Sequence, residues 1–289
     1  MPDLEPLLRL IPHVLPFECM ESGFMQRALL ALLMLAPMTA AMGVQVVTFR
    51  MAFFSDAISH SAFAGVALGL ITRLDPRWTM PFFGIVIAVS IIAVQRRSGL
   101  TTDAVIGVFL SMVVAFGLAI VSRDRNVSRD VQQFVYGDIL TVTDAELVML
   151  AVMFCVLMVF QALAYNRLLL VGINPALADV HGIKVAALQY AFAVMVALVV
   201  AFAVWAVGVL LVTAMLVVPA TAARNLARSA GGMFWWAVAI GLTSACTGLI
   251  VSAQPAVGTA TGATIILFAC LWFLVSYGVV LARRAGRAA

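Results

Sequence analysis

Charge is scarce in this chain. Of its 289 residues only 10% are charged, while 64% are hydrophobic. A soluble domain carries about 25% charged residues, so the polar surface here is too small to cover a globule in water. That excludes a soluble fold and predicts an all-α, polytopic membrane protein. Lysine is rarer still, with Lys184 alone beside sixteen arginines. A phosphate-binding P-loop needs Gly-x-x-x-x-Gly-Lys-Ser/Thr, and Lys184 stands between Ile183 and Val185. Any nucleotide-driven motor therefore belongs to another subunit. His-Glu-x-x-His and Gly-x-Ser-x-Gly are also missing, which removes the zinc-protease and serine-hydrolase readings. The chain is expected not to be an enzyme. Its four cysteines (Cys19, Cys155, Cys246, Cys270) have no Cys-x-x-Cys spacing, so no zinc or disulfide framework is expected.

What the chain has in abundance is long apolar runs. Segments of spanning length, about 17–25 residues, lie near 25–47, 51–71, 79–95, 103–122, 145–165, 186–205, 207–223, 233–252 and 260–282. The stretch from Ala186 to Ala223 is almost unbroken and divides into two spans only if the chain turns near Val207–Gly208, so the expectation is nine helices, with eight as the alternative. The net charge of +4 sits mostly on arginines in short loops and reads as a topology signal rather than as affinity for nucleic acid. With the N-terminus outside, ten basic residues fall on the inner side and seven on the outer, which favours N-out and C-in. Residues 1–24 mix four acidic residues with four prolines and are expected to be an extramembrane or interfacial lead-in, not a cleavable signal. Residues 25–282 then form one transmembrane domain, and 283–289 a basic cytoplasmic tail.

Two places carry polar information. Between spans five and six, Asn174-Pro175 is a helix start and Gly182 a helix stop, so a short capped helix is expected in the loop near 171–184. It is either a surface that another protein grips or a connector on the membrane face. The second place is FFSDAISHS at 53–61. Asp56 is the one acidic residue well inside a span, and His60 follows it by four residues, on the same helix face. Charge at such depth costs about 2.5–3.5 kcal/mol on the insertion scale and marks function by default. Three roles fit: ligands for a divalent transition metal in passage, with an oxygen and an imidazole nitrogen suited to manganese, iron or zinc; a proton relay in a secondary metal carrier; or a hydrogen-bonded pair that only packs helices. His13 and His181 lie outside the apolar runs and are weaker candidates.

FRMAFFSDAISHSAFAGVALGL (49–70), FVYGDIL (134–140), NPALADVHGI (174–183), VGVLLVTAMLVVPATAARNLARS (207–229) and PAVGTATGATIIL (255–267) together resemble the membrane permeases of zinc and manganese ABC importers. The resemblance runs from about Arg27 to the last span. It implies an ABC importer permease fold in the cytoplasmic (inner) membrane of a bacterium, carrying zinc, manganese or iron with no permanently bound cofactor. It also implies partners: a cytoplasmic ATP-binding subunit, an extracytoplasmic metal-binding protein, and a second permease copy or related permease. Asp56 and His60 match the family's metal ligands, and the segment with Asp179 and Gly182 matches its coupling helix. Ser55 stands where the family commonly has glycine, and Ala64 where it commonly has proline, which bears on the local bend of the second span.

Overall fold

The structure is a computed structural model that describes residues 21–122, 139–254 and 257–288. Among these, ten α-helices and a single 3-10 turn at Ile139–Thr141 appear, and no strand. The helices are α1 Gly23–Thr48, α2 Phe54–Thr72, α3 Pro76–Arg97, α4 Thr102–Val121, α5 Asp144–Ile173, α6 Pro175–Val180, α7 Val185–Val207, α8 Val209–Leu226, α9 Ala230–Ser252 and α10 Thr261–Ala288. All but α6 are long and apolar enough to cross a membrane, so the described residues hold nine candidate spans. Most of the 1–24 lead-in and of FVYGDIL, and the first two residues of PAVGTATGATIIL, lie outside the described residues.

A helix carries all its backbone hydrogen bonds within itself, which is why apolar runs of this length fold this way in lipid. α1 is the most buried span and packs on α5, α8 and α9, while α2 packs on α3, α4, α7 and α8. Small residues permit these approaches. A Cβ built on Gly43 of α1 would land on the Leu216 carbonyl oxygen of α8, and one on Gly65 of α2 would come within 2.9 Å of Met80 Cα in α3. Inside this packing, Gln45 Nε2 donates to Gln161 Oε1 at 2.7 Å and Gln161 Nε2 returns a bond to Gln45 Oε1 at 3.3 Å. The paired amides tie α1 to α5 where neither could reach water.

The junctions follow from local chemistry. α7 and α8 are separated by Gly208 alone, at φ 84, a backbone conformation open to glycine and strained for other residues. The α2–α3 turn uses Arg73 at φ 57 and then Asp75, whose Oδ1 accepts from Arg77 N at 2.9 Å, with Pro76 at the first helical position. Two sequence expectations need correction. α5 does not stop near 165 but continues through Asn166 and Arg167 to Ile173, because these polar residues have left the apolar layer and the helix runs on beyond it. Cys155, whose place in an apolar run predicts a small core residue, is exposed on α5.

Candidate functional site

The site begins at the α1–α2 junction. α1 ends at Thr48, Arg50 takes φ 58, and α2 starts only at Phe54. This turn does not lie at the end of the bundle. The Phe49 ring stacks on Phe192 with centroids 5.0 Å apart, and Phe192 is seven residues into α7, about 10 Å from its first residue. On the other flank, Gly84 of α3 faces Ile58 and Ser61, and Gly84 precedes the last residue of α3 by thirteen, about 20 Å. Both neighbours place the start of α2 about two turns inside the end of the bundle that carries α6. Asp56 therefore lies about 15 Å and His60 about 20 Å from that end, well inside the bundle rather than at its mouth.

Asp56 occupies the first turn of α2, where the helix dipole favours negative charge. His60 follows one turn on, close enough for the two to interact electrostatically, and Thr213 of α8 sets its hydroxyl against the carboxylate. Leu210 O, 3.3 Å from Thr213 Oγ1, is the alternative acceptor for that single hydroxyl hydrogen. Asp56 and His60 are half-buried, between fully buried Ser55 and Ser59 on one flank and Ser61 beyond. Neither is sealed in the core of this chain. Ser59 Oγ has no hydrogen-bond partner although it is buried. Ala57, Ala62, Ala64, Gly65 and Gly69 are buried too, so the small residues of α2 are spent on contact with its neighbours.

Chemically the pair offers one carboxylate oxygen donor and one imidazole nitrogen. Among the described residues no third His, Cys, Asp or Glu joins them. Two such donors would make only a partial coordination shell for a metal ion. Thr213 was not singled out from the sequence. It lies in a quoted apolar motif, and only the Gly208 break sets its register against α2.

The other predicted residues lie elsewhere. α6 is capped at both ends: Asn174 Oδ1 accepts from Leu177 N at 3.1 Å with Pro175 following. At its far end Ile183 N donates to Ala178 O and Gly182 N to Asp179 O, a Schellman closure around Gly182 at φ 74. Asp179 is exposed on this helix and lines a groove with Gln95, Arg96 and Gln189. His181 is exposed, its Nδ1 donating to Leu177 O at 2.8 Å, and His13 lies outside the described residues. At the opposite end of the bundle, Arg27 Nε reaches Asp144 Oδ1 at 2.6 Å, Arg77 lies over the Trp205 ring, and Trp205 Nε1 donates to Glu146 Oε1 at 2.9 Å.

Comparison with known proteins agrees with this architecture. A family described as the ABC 3 transport family matches residues 21–279. The chain is 31% identical over 251 residues to the high-affinity zinc uptake system membrane protein ZnuB of Haemophilus influenzae, covering 86% of this chain and 95% of that one. It is 30% identical over 262 residues to the manganese import system permease protein ScaB of Streptococcus gordonii, covering 90% and 93%. Among solved structures it is similar to PsaBC from Streptococcus pneumoniae in complex with Fab, with a TM-score of 0.76, 27% identity and coverage of 94% and 95%.

Proposed function

This chain belongs to the ABC 3 transport family, and we propose on that footing that it is the permease subunit of an ATP-driven importer of a divalent transition metal. It is not itself an enzyme, and ATP hydrolysis belongs to a separate subunit. The cargo class is zinc, manganese or iron. An oxygen ligand and an imidazole serve all three, and the similar proteins ZnuB and ScaB bear zinc and manganese in their names.

The observation that carries the reading is the Asp56–His60 pair at the raised start of α2. Metal delivered by an extracytoplasmic binding protein enters between the spans and takes the Asp56 carboxylate and the His60 nitrogen as ligands. The remaining positions are filled by water or by a second permease, identical or related, across a two-fold axis. α6, on the cytoplasmic side, receives the ATP-binding subunit through the exposed face that includes Asp179, and Gly182 is the hinge at its end. The assembly sits in the cytoplasmic membrane of a bacterium with the N-terminus outside. A proton-coupled secondary carrier using Asp56 and His60 as a relay is not favoured by the family membership.

The test is metal uptake by cells carrying Asp56→Asn or His60→Ala in the intact complex, assayed with zinc, manganese and iron. Uptake is expected to fall to background in both while the ATP-binding subunit still co-purifies. Wild-type uptake by both variants would remove the pair from the pathway.

A further inference from the structure

A second groove, about 560 Å³ in volume, borders the junction of α6 and α7, with neither Asp56 nor His60 in its lining. Arg167 of α5, then His181, Gly182 and Lys184 after α6, and Leu188 and Ala191 of α7 line it. We propose that this groove binds an anionic phospholipid of the leaflet on the α6 side, its phosphate held between Arg167 and Lys184.

Charge is the first argument. Arg167 and Lys184 are both exposed, and among the described residues neither has an ion pair. Two permanent cations sharing one groove without a carboxylate attract an anion, and basic pockets at the inner face of membrane helices recognise anionic headgroups.

The second argument is what lies beyond the charges. Val152, Val156, Val159 and Leu163 are 59%, 47%, 60% and 73% exposed, at spacings of four, three and four residues. They form one stripe along α5, and Arg167 comes one turn after Leu163 on the same face. From Val152 to Arg167 is about 22 Å, close to the length of one extended acyl chain. On α7, Lys184, Ala187, Leu188 and Ala191 repeat the order of charge first and apolar surface after.

The two cations differ in depth. Arg167 lies seven residues before Asn174, about 10 Å along α5 from the start of α6, while Lys184 stands at the level of α6 as the residue before α7. The groove therefore runs from the α6 level toward the apolar stripe of α5, the order that a headgroup followed by an acyl chain requires.

Native mass spectrometry of the full permease in its complex tests this, with phosphatidylglycerol, phosphatidylcholine and inorganic phosphate titrated separately. Phosphatidylglycerol is expected to bind at least about tenfold more tightly than phosphatidylcholine. Arg167→Gln and Lys184→Gln are each expected to weaken it about fivefold, the factor that about 1 kcal/mol per basic residue represents. Both side chains are exposed, so folding is expected to survive, as monitored by helix content. Arg283→Gln with Arg284→Gln, exposed at the end of α10 on the same side, is expected to leave binding unchanged. Three results would overturn the proposal: equal binding of the two lipids, equal loss from the α10 variant, or displacement of phosphatidylglycerol by phosphate alone. Loss of the ATP-binding subunit from Arg167→Gln with lipid binding intact would instead make the groove a protein contact, and would also overturn it. None of these outcomes bears on metal uptake through Asp56, so the two proposals fail separately.

Discussion

At the scale of single residues, the question is how a carboxylate is kept inside a membrane span, where charge costs up to about 2.5–3.5 kcal/mol. Asp56 has three offsets in view: the N-terminal turn of α2, the imidazole of His60 and the hydroxyl of Thr213. A hydrogen bond to a charged group contributes about 1.5–3 kcal/mol, which bounds what the Thr213 hydroxyl can add at Asp56. Thr213→Val is expected to lower metal affinity by about tenfold, measured by equilibrium binding on the purified complex, and Thr213→Ser to restore it. Wild-type affinity in the valine variant would detach α8 from the site. A second residue-scale expectation concerns packing alone. Gly43→Ala drives a methyl group into the Leu216 carbonyl, and overpacking of this kind costs about 1–3 kcal/mol. Thermal unfolding in detergent should show a lower midpoint for this variant, while Gly99→Ala, with nothing near its Cβ, should leave it unchanged.

At the scale of elements, α6 shows which features were legible before any coordinates. Asn174-Pro175 and Gly182 announce its two ends, and both caps form because each meets a purely local geometric need. The Gly208 break is legible for the same reason: one residue in an unbroken apolar run can adopt positive φ without strain. The span positions follow from apolar length, since lipid allows few alternatives. The raised start of α2 was not legible. It depends on Phe49 finding Phe192 and on Gly84 admitting Ile58 and Ser61, contacts between elements far apart in the chain. Nor was the continuation of α5 past Tyr165, where polar residues ended the apolar signal without ending the helix. α6 also carries a mechanical expectation. A Cβ at Gly182 meets nothing within 4 Å, yet φ 74 remains unfavourable, costing roughly 1–2 kcal/mol for a non-glycine residue. Gly182→Val should therefore loosen the α6 closure, and Asp179→Arg should reverse the charge that α6 presents. Both are expected to leave ATP hydrolysis running while metal uptake falls, measured together in reconstituted vesicles. Unchanged coupling in both would remove α6 from the mechanism.

At the scale of the whole molecule, the two ends of the bundle differ in kind. The end away from α6 carries side-chain pairs, with Arg27 on Asp144, Arg77 over Trp205, and Trp205 bonded to Glu146, beside a groove of about 550 Å³ lined by Val207, Leu210 and the residues leading into α10. The other presents α6, two open grooves and unpaired arginine and lysine. Between them lie Asp56 and His60, which the raised α1–α2 turn sets about 15 and 20 Å inside the α6 end. Separating these pairs while α1 and α5 stay joined through the Gln45–Gln161 amides takes work. The only lysine of the chain lies outside any nucleotide-binding motif, and in the ABC 3 transport family ATP hydrolysis belongs to a separate subunit, the expected source of the energy. Metal uptake should then fall to background when the ATP-binding subunit is deleted, and should persist when the proton gradient is collapsed with cellular ATP held constant. The reverse pattern, with uptake surviving the deletion and vanishing with the gradient, would make Asp56 and His60 a proton relay and overturn the importer mechanism.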